Sequence, residues 1–174
     1  MENNENKNKN KGYRIFMIGD AMVGKTALLK SLPDMSIETL LTLGLEITDI
    51  EISVRNEKIT LSVIDLGGKE AFHKFYTKYV ETALGGIFVF SLANRKSFEN
   101  LPYYQNLIKD TFTDKPFILV GNKSDMDREV SYETAASFAD ENDMPYFETS
   151  AITKENIIEA FTSLSEMIIK KISK

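Results

Sequence analysis

Apolar residues along the chain fall in short unbroken runs separated by polar, turn-forming stretches. YRIFMIG (13–19), GIFVFSL (86–92), PFILVGN (116–122) and PYFETSA (145–151) predict strands buried on both faces. EITDIEISV (46–54), with Ile47, Ile50, Ile52 and Val54 as its apolar positions, and KITLSVI (58–64) roughly alternate instead. Arg55-Asn56-Glu57 between them predicts a hairpin turn. Helical spacing appears over 26–32, where Leu28, Leu29 and Leu32 lead to a Pro33-Asp34 stop. It recurs over 71–82, over 97–110 with Pro102 early enough for a first turn, and from a Ser131 cap to about Asn142. Ile157, Phe161, Leu164, Ile168 and Ile172 mark one face of a closing helix. Strands alternating with helices predict an α/β fold: a six-stranded, mostly parallel sheet with one antiparallel edge strand and helices on both faces.

Composition narrows the chemistry. The 174 residues suit one domain, and 43% apolar content is ordinary for a globular chain. Residues 1–11, nearly all Asn, Lys and Glu, predict a disordered tail ahead of a domain over 12–174. A formal charge of -5 argues against a nucleic-acid partner. The absence of cysteine removes disulfides, thiolate catalysis and Cys-ligated zinc, and a single histidine, His73, removes a His-rich metal site. No apolar run is long enough to span a membrane, residue 2 is Glu2 rather than an acceptor glycine, and no cysteine is available for lipidation. The expected location is therefore cytoplasmic, without a lipid anchor in this chain. Membrane association would fall to partners or to a further segment of a longer chain.

Three motifs stand just after strands, where such sheets bind ligands. Gly19-Asp20-Ala21-Met22-Val23-Gly24-Lys25-Thr26 fits the phosphate-loop pattern between a strand and a helix. Its glycines let backbone N–H groups turn inward, Lys25 can reach the outer phosphates, and Thr26 can offer a hydroxyl to Mg²⁺. Asp65, ending a strand in Asp65-Leu66-Gly67-Gly68-Lys69-Glu70, is the natural carboxylate for that metal. Asn122-Lys123-Ser124-Asp125 offers a carboxylate that can accept both N–H donors on one edge of guanine, which adenine lacks. Asn122 can tie this loop to its neighbours, and the Lys123 stem can lie over the base. Thr149-Ser150-Ala151 can present backbone N–H groups to a carbonyl such as guanine O6.

In this order the motifs GDAMVGKT, TLG, DLGGKE, GNKSD and ETSA resemble those of a small GTPase of the Ras superfamily, nearest to the Rab branch, over about residues 13–172. The resemblance implies a P-loop NTPase fold, with Mg²⁺ and GTP or GDP as ligands. It implies phosphate contacts from Ala21, Met22, Val23, Gly24, Lys25, Thr26 and Ala27, metal ligation by Thr26, Thr42 and Asp65, and γ-phosphate contacts from Thr42 and Gly68. Thr39 is a rival to Thr42. Guanine falls to Asn122, Lys123, Asp125, Met126, Ser150, Ala151 and Ile152, with Met35 near the place where relatives lay an aromatic ring across the base. Lys25, Thr42, Gly68 and Lys69 would act in catalysis.

The departures from the family pattern bear on rate and partners. Lys69 stands where the family usually has Gln, and a protonated amine cannot accept a hydrogen bond from the attacking water. Slow hydrolysis is the expectation. Met22 replaces a common glycine, Gly67 the usual alanine, and the interval from Thr26 to Thr42 is about two residues short. Ile47, Ile64 and Val80 stand where Rab relatives often carry surface aromatics, so either partner choice differs or these aliphatics only pack the sheet. Phe72, Phe75, Tyr76 and Tyr79 make an aromatic-rich segment with His73 among them. The expected role is a monomeric switch in vesicle trafficking or related signalling. It would engage effectors through 34–50 and 65–80, and an exchange factor and a GTPase-activating protein besides. A nucleotide-bound scaffold without turnover is the alternative, and a nucleotide kinase or ATPase is disfavoured by Asp125.

Overall fold

The computed structural model describes residues 11–32, 35–36, 46–66, 81–110 and 113–174. Strand β1 (Lys11–Ile18) leads through the phosphate-loop motif into α1 (Lys25–Lys30). A two-residue strand β2 (Met35–Ser36) precedes the hairpin of β3 (Glu46–Val54) and β4 (Glu57–Leu66). Then come β5 (Gly85–Ser91), α2 (Arg95–Glu99), α3 (Leu101–Ile108), β6 (Phe117–Asn122), α4 (Tyr132–Glu141), β7 (Tyr146–Thr149) and α5 (Ile157–Ile172). The sheet order is β2-β3-β4-β1-β5-β6-β7. Five strands run parallel, and β3 pairs antiparallel with β4. The six expected strands are present, and β2 adds a short seventh at the β3 edge.

Side-chain alternation splits the core between the two faces of the sheet. Ile15 and Met17 of β1, Ile87 and Val89 of β5, and Ile118 and Val120 of β6 pack with Leu28 of α1 and Phe161, Leu164 and Ile168 of α5. Their neighbours Phe16, Ile18, Phe88, Phe90 and Leu119 pack on the other face with Leu101 and Tyr104 of α3 and Ala135 and Ala139 of α4. A strand covered this way has no wet side, and every residue of β5 is buried.

Local differences from the sequence expectations have physical causes. Lys11, assigned to the tail, opens β1 because its backbone continues the ladder opposite Ile59. The 97–110 helix breaks at Asn100, since Pro102 has no N–H to continue the helical ladder. The hairpin turns on Arg55 and Asn56 alone, both with positive φ, while Glu57 already belongs to β4. Ile172 is 53% exposed, outside the buried stripe of α5 that ends at Ile168. Ile64 is fully buried and Ile47 packs half-buried on the same core, so these two fill the fold rather than the surface. Val80, and all of the predicted 71–82 helix except Glu81 and Thr82, lie outside the described residues.

Candidate functional site

All parallel strands end on the same edge of the sheet, and this edge gathers the three motifs. The register sets Asp65 of β4 beside Met17 of β1, two residues before Gly19. Gly19 and Gly24 are the positions where the loop needs glycine. A Cβ on Gly19 would drive into the Val89 carbonyl oxygen, and Gly24 has φ 100° with the Asn122 amide where its Cβ would stand.

Lys25 is buried under this loop. Its Nζ donates to the carbonyl oxygens of Gly19 at 2.9 Å and Asp20 at 2.8 Å. Burial lowers its pKa, against the opposing pull of Asp65 and Asp20. Thr26 donates its hydroxyl to Oδ2 of Asp65 at 2.7 Å. Oδ1 of Asp65 is buried and has no hydrogen-bond partner among the described residues. A hydroxyl and a carboxylate with an unsatisfied buried oxygen form a hard-oxygen donor set that fits Mg²⁺. Among the described residues no group of three or more His, Cys, Asp or Glu side chains gathers.

The base-edge loops are tied to the phosphate loop through Asn122, which is 1% exposed. Its Nδ2 donates to the Val23 carbonyl at 2.8 Å, and its Oδ1 accepts from the Thr149 hydroxyl at 3.3 Å. Lys123 has φ 67°, and its Cε lies 4.0 Å from where a Gly24 Cβ would be, so the stem passes over the loop. Asp125 is exposed, with Oδ1 accepting from the Ser150 hydroxyl at 2.6 Å. Ser150 Oγ also accepts from the backbone N–H of Ile152 and Thr153, a turn that shapes the Thr149–Ala151 loop. Ala151 is half-buried, while Met126 and Ile152 are exposed at 54% and 81%.

Met35 pairs by its backbone with Ile50, on the β2 edge. Five strand spacings, about 24 Å, separate that edge from β6. Thr39, Thr42, Gly67, Gly68, Lys69, Phe72, His73, Phe75, Tyr76 and Tyr79 lie outside the described residues. Ala21 and Met22 are exposed, Met22 with φ 64° and 88% exposure, and Ala27 is exposed on α1.

Against this geometry, the family model for the Ras family matches residues 14–170. The chain belongs to the Ras family. It is similar to the Ras-related protein Rab-13 of Canis lupus familiaris, 35% identical over 164 residues that cover 91% of this chain and 81% of the relative. It is likewise similar to Rab-2B of Dictyostelium discoideum, at 33% over 92% of this chain and 82% of the relative. Rab-10 of Diplobatis ommata is 34% identical over 91% of this chain and 82% of its own length. The chain is thus a Rab-like small GTPase of the Ras superfamily, with a P-loop GTPase fold. Ras-family GTPases bind GTP or GDP with Mg²⁺ and interact with effectors and regulators, and Rab-like members are proteins of vesicle trafficking. No helix among the described residues is long and apolar enough to cross a membrane.

Sequence reasoning missed two ties in this Rab-like site. Arg128 makes a two-pronged contact with Glu148 at 3.1 and 2.7 Å, linking the segment after Asp125 to the residue before Thr149. Burial and the Glu148 carboxylate also raise the pKa of Tyr146, so its hydroxyl stays protonated and donates to Glu148 at 2.9 Å. The second tie holds Asp20, whose carboxylate accepts from Asn100 and Tyr104. The i, i+4 spacing of a polar donor and a tyrosine at a helix start was the available signal.

Proposed function

We propose that this chain is a guanine-nucleotide switch that binds GTP with Mg²⁺ and hydrolyses it slowly to GDP and phosphate, in vesicle trafficking or related signalling. The observation that carries this reading is the bond from Asn122 to Val23. It makes a phosphate loop holding a buried Lys25 and a loop presenting Asp125 into one unit. Asp125 accepts the two donors on the guanine edge, and the Ser150–Ile152 turn offers N–H groups to its carbonyl. Lys25 and the loop N–H groups hold the phosphates. Thr26, Asp65 and Thr42 would hold Mg²⁺, which neutralises charge on the phosphates. Water attacks the γ-phosphorus, and the bond to the bridging oxygen of GDP breaks. Lys69 supplies charge but does not orient the water, which keeps the rate low. GTP orders the segments around Thr42 and Gly68, so effectors read 34–50 and 65–80. An exchange factor and a GTPase-activating protein act on the same segments. A scaffold that holds nucleotide without turnover is the second reading, and Lys69 favours it.

The test is single-turnover GTP hydrolysis with Mg²⁺ by wild type and Lys69→Gln, after competition of GTP and ATP against a fluorescent GDP. GTP should displace the probe and ATP should not. Wild type should turn over slowly, and Lys69→Gln faster by about tenfold or more. Displacement by ATP sinks the guanine assignment. Tight binding with no hydrolysis by either protein moves the scaffold ahead.

A further inference from the structure

A carboxylate in a loop built for phosphate needs an explanation. Asp20 is the second residue of the phosphate-loop motif, and an unpaired anion there would repel the ligand. Its two oxygens are both engaged by the start of α3. Asn100 Nδ2 donates to Oδ2 at 2.8 Å, and the Tyr104 hydroxyl donates to Oδ1 at 2.7 Å. Asn100 is the residue that caps α3, and Tyr104, one turn later, is 6% exposed. The two donors therefore come from one rigid face at i, i+4 spacing. The same residue's carbonyl oxygen accepts from Lys25 Nζ at 2.8 Å. Asp20 thus joins α3 on its side-chain side to the phosphate-binding amine on its backbone side.

We propose that Asn100 and Tyr104 are positioning residues for phosphate binding: they hold the Asp20 carboxylate on α3 and thereby fix the backbone carbonyl that seats Lys25. Neither touches the nucleotide. They act by pre-organising the loop, so the ordering cost is met before the ligand arrives. The inference rests on the nucleotide-binding reading above and deepens it. A purely structural cross-link between α3 and the loop would change stability without acting selectively on the phosphate end of the ligand.

The experiment measures dissociation constants of GDP and IDP, by competition with a fluorescent GDP, at a temperature where circular dichroism shows each protein folded. IDP lacks the 2-amino group that Asp125 reads, so the GDP-to-IDP ratio reports on the base end. Tyr104→Phe removes one charge-assisted bond and should weaken GDP by about tenfold. Asn100→Asp sets two carboxylates against each other and should weaken it further. The exchange Asp20→Asn with Asn100→Asp restores an amide–carboxylate pair in the opposite sense and should recover GDP binding to within about threefold of wild type. The GDP-to-IDP ratio should stay constant throughout. Unchanged GDP binding in both single variants overturns the proposal. So does an exchange variant no tighter than Asn100→Asp, or a ratio that moves as much as GDP binding itself. Wild type that binds neither nucleotide overturns the nucleotide-binding reading, and this inference with it.

Discussion

Asn122→Ala tests the joint that unites the site. The amide is 1% exposed, and its partners Val23 and Thr149 are 2% and 1% exposed. Truncation leaves the Val23 carbonyl without its 2.8 Å donor, in a place where an unpaired polar group costs about 1–3 kcal/mol. The Thr149 bond at 3.3 Å is long and contributes roughly 0.5 kcal/mol. The net hydrogen-bond stabilisation lost at Asn122 itself brings the total to about 2–4 kcal/mol. For a domain of this size that is a drop of about 4–16 °C in Tm. Thr149→Val breaks only the long bond and should cost about 1 kcal/mol or less. The assay is equilibrium urea unfolding of nucleotide-free protein, followed by far-UV circular dichroism and by tyrosine fluorescence, since the chain has seven tyrosines and no tryptophan. A loss below about 1 kcal/mol for Asn122→Ala, or a loss from Thr149→Val that equals it, refutes the reasoning.

Gly24→Ala attacks the same bond from the other side, because its Cβ meets the Asn122 amide at a φ of 100°. It should destabilise by about 2–4 kcal/mol, and the double variant with Asn122→Ala should cost less than the sum of the two singles in a mutant cycle. Lys25 gives a pH signature. Burial holds its pKa below the ordinary 10.5, so above that lowered value the folded, ligand-free protein binds fewer protons than the unfolded chain. Stability relative to Lys25→Met should therefore rise with pH through the window ending near 10.5. Urea unfolding of both proteins across that window checks the sign, and a falling difference would contradict it.

The strands were legible because burial on both faces writes itself as unbroken apolar runs, as in GIFVFSL. The phosphate loop and the Asn122–Asp125 loop were legible because their backbone demands select glycine, lysine and asparagine at fixed spacing. The two-residue β2 was not legible because so short a strand leaves no alternation to read, and only its pairing with β3 reveals it. Ile64 was open to two readings because an aliphatic residue looks the same on a sheet face whether a helix or water covers it. The Asp20–Asn100–Tyr104 tie was only half legible: the i, i+4 spacing pairs its two donors, but Asp20 lies 80 residues or more away and no local rule points to it.

Among the described residues, the departure at Met22 falls on a different part of the site from the ties. Lys25, Thr26, Asp65, Asn122, Asp125 and Ser150 each have a hydrogen-bonded place in the structure. Met22, by contrast, is 88% exposed and makes its departure at a position that faces outward from the loop. A side chain there does not disturb Lys25, which is held from beneath by Gly19 and Asp20. The expectation is that binding and turnover separate in this chain. On the proposed function, nucleotide affinity would rest on this hydrogen-bonded frame, while hydrolysis would depend on Lys69, whose protonated amine cannot accept from water as a glutamine amide can. On the function proposed above, a slow GTPase that holds its nucleotide firmly is the expected outcome, and the Lys69→Gln comparison tests turnover apart from binding.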